Sequence, residues 1–330
     1  MHPRKTVVSC VLAVCYLGLL RLSESQVPQE EVDALQQIVT DMGATHWRFD
    51  ADLCEVEMVG ISPAAPSGSE GYVECNCNYN NTVCHVTKIV IKSYNLPGIL
   101  PPSIVKLPYL RDIDFAYNLL RGTIPKEWAS MQLNFISVLV NRLSGEIPKE
   151  LGNIRSLTYL NLEANQFSGA VPADIGRLIN LKTLEMFASG LEGPIPLNIS
   201  LLNMLTDLRI SDLKGPAQEF PVLRSTPGLV TLILRNCNIT GEIPAYVWRL
   251  RVLQMLDVSF NQLVGEIPSH IARNLKLVFV TGNMLSGYIP DTLLKDGSNI
   301  NHDVDLFKGS STSNALPRIL PCARDVVCPK

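Results

Sequence analysis

Charge is scarce in this sequence. Of its 330 residues only 18% are Asp, Glu, Lys or Arg, below the roughly 25% of ordinary soluble domains, and the formal net charge is −3. A chain with no basic excess carries no electrostatic footprint for a nucleic-acid polyanion, so that class of partner is excluded. Aromatic residues are few, at 6%, and 21 glycines with 22 prolines fall short of collagen, mucin or low-complexity chains. The five histidines, His2, His46, His85, His270 and His302, are too scattered to pair with a nucleophile, and no G-x-S-x-G elbow occurs. Carboxylates are expected on a solvated strand face rather than as the paired acids of a glycosidase. The sequence predicts no catalytic residue, no metal site and no cofactor.

Long apolar runs are missing, with one exception. His2, Arg4 and Lys5 precede an uncharged run from Val7 to Leu20, about 14 residues and short of the ~20 that a bilayer span needs. Small residues Ser23 and Ser25 follow before Gln26, the layout of a secretory signal peptide over residues 1–25. No later stretch matches a membrane span. The expected location is extracellular, with membrane attachment only if the chain continues beyond Lys330.

What is abundant is repetition. Gly-x-x-Pro recurs as Gly98–Pro101, Gly122–Pro125, Gly145–Pro148, Gly169–Pro172, Gly193–Pro196, Gly241–Pro244, Gly265–Pro268 and Gly287–Pro290, in steps of 22 to 24 with one of 48. The pattern L-x-x-L-x-L fills that gap, starting at Val86, Leu110, Leu133, Leu157, Leu181, Leu205, Leu229, Leu253 and Leu275. This is a leucine-rich-repeat array of about nine units. The predicted fold is an α/β solenoid whose repeat consensus resembles the plant-specific type, with a short parallel sheet on the concave face and disulfide-stapled caps. Residues 26–85 form the N-terminal cap, 86–298 the repeats and 299–330 a tail.

The spacing dictates the unit. In Leu157-x-x-Leu160-x-Leu162 the last two leucines alternate along a short strand and point to one side. Three residues on, Asn165 sits where the chain turns, and its amide can bond backbone groups of neighbouring coils. Asn118, Asn141, Asn261 and Asn283 hold the same slot. Gly-x-Ile-Pro then carries the chain around the outer side. One unit cannot bury its leucines alone, so stacking supplies the core and the ends need caps. The unit from Leu205 has Leu213 in the Asn slot and predicts an irregular coil. Cys237 also fills that slot and is expected as a buried, unreactive thiol.

A helix is expected from Gln29 to Met42, stopped by Gly43, then a Ser/Gly/Pro loop from Ser62 to Gly71. Cys75, Cys77 and the Cys84-His85 pair could hold zinc, but a secreted cap favours disulfides. Cys54–Cys75 with Cys77–Cys84 is preferred because it closes compact loops; pairings of Cys54 with Cys77 or Cys84 stay open. Cys322–Cys328 would staple the tail. Sequons stand at Asn80, Asn198 and Asn238, each expected at a cap or turn.

Four strings carry a resemblance. They are Cys75-Asn-Cys77 before Cys84-His85-Val86, Pro125-Lys-Glu-Trp-Ala-Ser-Met131, Leu205-Thr-Asp-Leu-Arg-Ile-Ser-Asp-Leu213 and Leu232-Ile-Leu-Arg-Asn-Cys237. With the repeat consensus, they resemble the ectodomain of plant receptor-like serine/threonine kinases that join leucine-rich repeats to a malectin-like domain. The resemblance covers about residues 27–297, and the Cys322–Cys328 tail more loosely. It implies a non-catalytic module that recognises an extracellular peptide, carbohydrate or co-receptor ectodomain, facing outward from the plasma membrane in a full-length receptor. No V-A-I-K, H-R-D or D-F-G string occurs, and the array looks about one repeat short. The alternative is a secreted repeat protein acting as an inhibitor or decoy.

The partner site is expected on the concave strand face. Residues between the inward apolars form one column, among them Glu185 and Arg209, and the next column holds Glu163, Phe187 and Arg235. Tyr159 and Asp207 border them. The bland reading of these charges is a lateral ion ladder between neighbouring strands.

Overall fold

The computed structural model describes residues 26–44, 46–49, 66–80, 83–287 and 290. Each L-x-x-L-x-L segment contributes one short strand, because alternate residues must point inward to be buried. Among the described residues these strands are Val83–Lys92, Asp112–Asp114, Phe135–Ser137, Tyr159–Asn161, Thr183–Met186, Asp207–Ser211, Thr231–Arg235, Met255–Asp257 and Leu277–Phe279. They stack in chain order and run parallel; Glu70–Asn80 adds an antiparallel strand at the first edge, completing a ten-stranded sheet. Leu157, Leu160 and Leu162 are fully buried, as are their counterparts Leu205, Leu208 and Ile210.

The outer side is built from 3-10 turns at Pro102–Lys106, Lys126–Ser130, Lys149–Asn153, Ala173–Arg177, Leu197–Leu201 and Val247–Arg249. Five follow a proline in extended backbone: Pro101, Pro125, Pro148, Pro172 and Pro196. Proline suits that place because it lacks the N–H that a turn's first residue leaves unused. Trp128 is fully buried, and its indole N–H donates to the Pro101 carbonyl at 3.0 Å, tying one coil to the last.

A second ladder, absent from the sequence reading, lies between sheet and turns. Arg121–Gly122, Arg142–Gly145 and Gln166–Phe167 form one three-stranded sheet, and Gln218–Glu219, Ile239–Glu242 and Gln262–Val264 another. Its signal was a lone apolar residue after each turn, such as Leu143 or Leu263, too little to show a strand period.

Each turn off the concave strand uses a left-handed residue. Tyr117, Val140, Ala164, Ala188, Asp212, Asn236 and Phe260 have φ between 48° and 57°. That conformation is costly for side chains with a Cβ. It is imposed because the next residue must swing inward.

Where that next residue is Asn, the expected ladder forms. Asn165 accepts the Leu143 N–H at 3.1 Å and donates to the carbonyls of Val138, Leu162 and Glu163. Asn118, Asn141, Asn261 and Asn283 repeat the arrangement. Ser189, Leu213 and Cys237 interrupt it. Behind Ser189 two coils meet backbone to backbone, Phe167 N–H to Ser189 carbonyl at 2.9 Å. Gly190, at φ +87°, permits this, since a Cβ there would stand 2.6 Å from the Phe167 oxygen. Further on, the Gln218 amide accepts the Ile195 N–H and donates to the Cys237 carbonyl, both at 2.7 Å. The irregular coil thus has a substitute clasp. Cys237 is a buried free thiol, and burial pushes it up to about 12.

The cap helix runs Gln29–Asp41 and buries Val32, Leu35 and Ile38. Glu31 is buried with it, 2.6 Å from His85 Nδ1 and accepting the Val86 N–H at 2.9 Å. The loop expected from Ser62 to Gly71 ends early, because Glu70 and Gly71 already pair with Lys92 and Ile91. Lys88–Glu74 and Lys92–Glu70 ion pairs across this hairpin hold the register. Cys77–Cys84 is a disulfide, and Cys75 is disulfide-bonded too. Its expected partner Cys54, the signal segment 1–25, Cys322, Cys328 and the tail 299–330 lie outside the described residues.

Candidate partner-binding face

The parallel register lines up one side chain per strand on the concave face. Val90, Asp114, Ser137, Asn161, Glu185, Arg209, Ile233, Asp257 and Phe279 are successive partners, coil by coil. Tyr159, Thr183, Asp207 and Thr231 form the column before it. In the column after it, Ser211 pairs with Arg235. Neighbouring strands lie about 4.7–4.9 Å apart, close enough for side chains on three coils to share one network.

Four of the expected residues do so. The Arg209 guanidinium grips Asp207 with two hydrogen bonds of 2.8 Å, Nε to Oδ1 and Nη2 to Oδ2. Its Nε also lies 3.4 Å from Glu185 Oε1. On the other side Glu185 Oε2 accepts the Tyr159 hydroxyl at 3.0 Å and the Asn161 amide. Glu185 is 8% exposed, so this carboxylate is held by two hydrogen-bond donors and the neighbouring guanidinium charge instead of water. Burial pushes the Tyr159 phenol up to about 12. The tyrosine therefore stays protonated and keeps donating.

The other three stand apart from that network. Glu163 is half-buried and its pKa lies above the carboxylate norm, from burial first and Glu185 second, with Arg209 opposing. Phe187 is half-buried with no ring partner among the described residues. Arg235 lies over the Phe260 ring, 4.6 Å from its centroid. The Arg209 fork is spent on Asp207, so this side chain contributes to the strand network instead of offering a free guanidinium. Sequence reasoning also left out Asn161 and the Phe135–Tyr159 stack, whose centroids are 4.3 Å apart. The signal was available: both rings fall in one column, 24 residues apart.

Of the sequons, Asn198 is exposed on its 3-10 turn, and Asn238 sits at φ 55° before a lateral strand. Asn80 lies in the cap, at the end of the strand Glu70–Asn80, where it pairs with Val83.

Comparison with known proteins bears on the fold. The Leucine Rich Repeat family model matches residues 156–178, 228–250 and 252–273. The fold is a leucine-rich-repeat solenoid. A probable LRR receptor-like serine/threonine-protein kinase of Arabidopsis thaliana, RFK1, is 44% identical over 391 residues, covering 97% of this chain and 38% of the relative. A second probable LRR receptor-like kinase of Arabidopsis thaliana is 38% identical over 305 residues, covering 77% and 30%. The homologues are plant leucine-rich-repeat receptor-like serine/threonine kinases, and the chain spans less than half the length of either. Among solved structures, the Arabidopsis receptor kinase HAESA, in complex with the peptide hormone IDA and the co-receptor SERK1, superposes with TM-score 0.64 at 27% identity. That match covers 81% of this chain and 44% of that one. A TDR receptor matches at 35% identity with TM-score 0.55, covering 59% and 34%. A plant ice-binding protein, at 22% identity and TM-score 0.58 over 85% of this chain and 96% of that one, shares the fold.

Proposed function

We propose that this chain is the ligand-recognition segment of a plant receptor-like kinase, of the group that also carries a malectin-like domain, and that it faces the cell exterior. Among the described residues no helix is long and apolar enough to cross a membrane. These residues serve recognition; catalysis is not assigned to them. The partner is an extended peptide lying across the concave strands, with a co-receptor ectodomain as a second contact. HAESA, with a peptide hormone and a co-receptor in its complex, supports this class of partner.

The observation that carries the reading is half-buried Phe187 sharing one column with Glu163 one coil before it and Arg235 two coils after, beside a network that is already satisfied. Tyr159, Glu185, Asp207 and Arg209 hold one another, so the surface is rigid before a ligand arrives and little ordering entropy is lost on binding. Phe187 then offers an apolar anchor, Arg235 a planar cation for a carboxylate, and Glu163 an acceptor for an N–H or a cation. The same reading makes Asn80, Asn198 and Asn238 glycosylated, and pairs Cys54 with Cys75 and Cys322 with Cys328.

Selection of displayed random peptides on the immobilised, secreted chain tests this. Peptides so obtained should lose about tenfold or more in affinity for Phe187→Ala and for Arg235→Ala, the size of a hot-spot truncation, while the melting temperature holds. Undiminished binding to both variants would place the site elsewhere.

A further inference from the structure

The outer face carries charge on most of its coils. Its turns read Lys-Glu-Trp-Ala-Ser at 126–130, Lys-Glu-Leu-Gly-Asn at 149–153 and Ala-Asp-Ile-Gly-Arg at 173–177, and Asp174 pairs with Arg177 at 3.2 Å. The next reads Leu-Asn-Ile-Ser-Leu at 197–201, with no charge. Within it only Ile199 is buried; Leu197 is 79% exposed, Leu201 56%, and Met204 just beyond 50%. Val222, 51% exposed, extends the patch into the following coil. It stands 24 residues after Asn198, the position that the repeat period places beside it on the next coil. Monomeric proteins seldom leave contiguous apolar surface of this kind uncovered without a function for it.

The attachment point for a cover lies inside the patch. Asn198-Ile199-Ser200 is a sequon, and Asn198 is exposed. Its Nδ2 donates one hydrogen to the Ala173 carbonyl at 3.2 Å, leaving the other replaceable. Gly176 beneath it has no side chain; a Cβ there would stand 2.7 Å from the Asn198 Cβ, so the asparagine sits hard against the preceding coil. We propose that an N-linked glycan on Asn198 covers this patch, its first sugar laying an apolar ring face on Leu197, Leu201 and Val222. The inference rests on the secretory reading above. In the modification, the Nδ2–H hydrogen is replaced by a bond to the anomeric carbon of N-acetylglucosamine. The oligosaccharide comes from a lipid-diphosphate donor, which leaves as the lipid diphosphate with the proton. A bulky glycan rooted among these side chains also excludes a protein partner from them.

The full chain, secreted from plant cells, supplies the test. Peptide mass mapping reads occupancy at Asn198, and hydroxyl-radical footprinting reads Met204 in the wild type and in Ser200→Ala, which abolishes the sequon and keeps the asparagine. Asn198 should be occupied, and Met204 should oxidise about threefold faster or more in the variant, since oxidation follows exposure. Met284, 57% exposed on a distant coil, should not change. Asn198→Gln repeats the measurement with the Ser200 hydroxyl intact. A secreted chain with bare Asn198 overturns the proposal and the glycosylation of Asn198 in the reading above, and leaves ligand recognition standing; a chain retained in the cytosol overturns the proposal and the receptor reading alike. Occupied Asn198 with equal Met204 rates overturns the covering role. So does a glycosylated dimer that protects Met204 and exposes it on dilution.

Discussion

Between Leu110 and Asn165 each coil is joined to its predecessor by an asparagine in the turn slot; between Leu181 and Cys237 that slot holds Ser189, Leu213 and Cys237 instead. In the first region Asn118, Asn141 and Asn165 each bridge a turn N–H of the coil before and several strand carbonyls. In the second, Ser189 keeps its hydroxyl on Met186 of its own coil, at 2.9 Å. Direct backbone contact, Gln218 and the Cys237 thiol, which donates to the Ile210 carbonyl at 3.5 Å, do the bridging. The concave strands differ in step: three residues each at Asp112–Asp114, Phe135–Ser137 and Tyr159–Asn161, but five at Asp207–Ser211 and Thr231–Arg235. A solenoid can therefore lose its buried amide column locally, provided every buried N–H and C=O still finds a partner. The second region also holds Phe187, Arg209 and Arg235.

The sharpest break should come from Gly190→Ala. The new Cβ would lie 2.6 Å from the Phe167 oxygen on a backbone at φ +87°, and strain plus overpacking should cost about 3–5 kcal/mol. Chemical denaturation of the secreted chain reads it. Asn165→Ala is the matching insult to the laddered region. It strips the Leu143 N–H and three carbonyls of their amide partner, and should cost about 2–4 kcal/mol in the same assay. If Asn165→Ala is harmless while Gly190→Ala is severe, the amide column is ornamental and backbone contact alone holds the coils.

Gln218→Ala removes two half-buried bonds, and the loss should be about 1–2 kcal/mol. Amide hydrogen exchange at Ile195 should speed up with it, while exchange at Leu143 stays as it was. The smallest effect belongs to Glu163→Gln. The folded pKa of Glu163 lies above its ordinary 4.5, so the ionised form is the one folding disfavours. That penalty is absent below the unfolded value and appears as pH rises through the folded one. The variant should gain a few tenths of a kcal/mol at pH 7, a small figure because solvent screens this half-exposed group, and the gain should vanish below about pH 4.5. A constant difference across that range would mean that charge is not the cause.

Much of this was legible in the residues. The L-x-x-L-x-L starts carry strand, face and register together, so the column from Val90 to Phe279 could be written down unseen. The Asn ladder could be read because one residue type recurs at one slot. The second ladder could not, since two to four residues at Arg121–Gly122 or Arg142–Gly145 show no period. Nor could the strand Glu70–Asn80, whose Cys and Asn residues resemble a loop until they pair with Val83–Lys92.

For the concave face, sequence alone determined which side chains share a surface, because a period of about 24 residues and an alternation of two leave no other option once the leucines are buried. Which of them are free was decided by tertiary structure. Arg209 has Asp207 two residues away in its own strand and Glu185 one coil back, and only packed coordinates show the fork closed on the first. Arg235 is likewise drawn to Phe260, a ring set on the next coil's turn by a left-handed residue. Side-chain torsions and the distances between coils settle such choices, and neither is written in spacing.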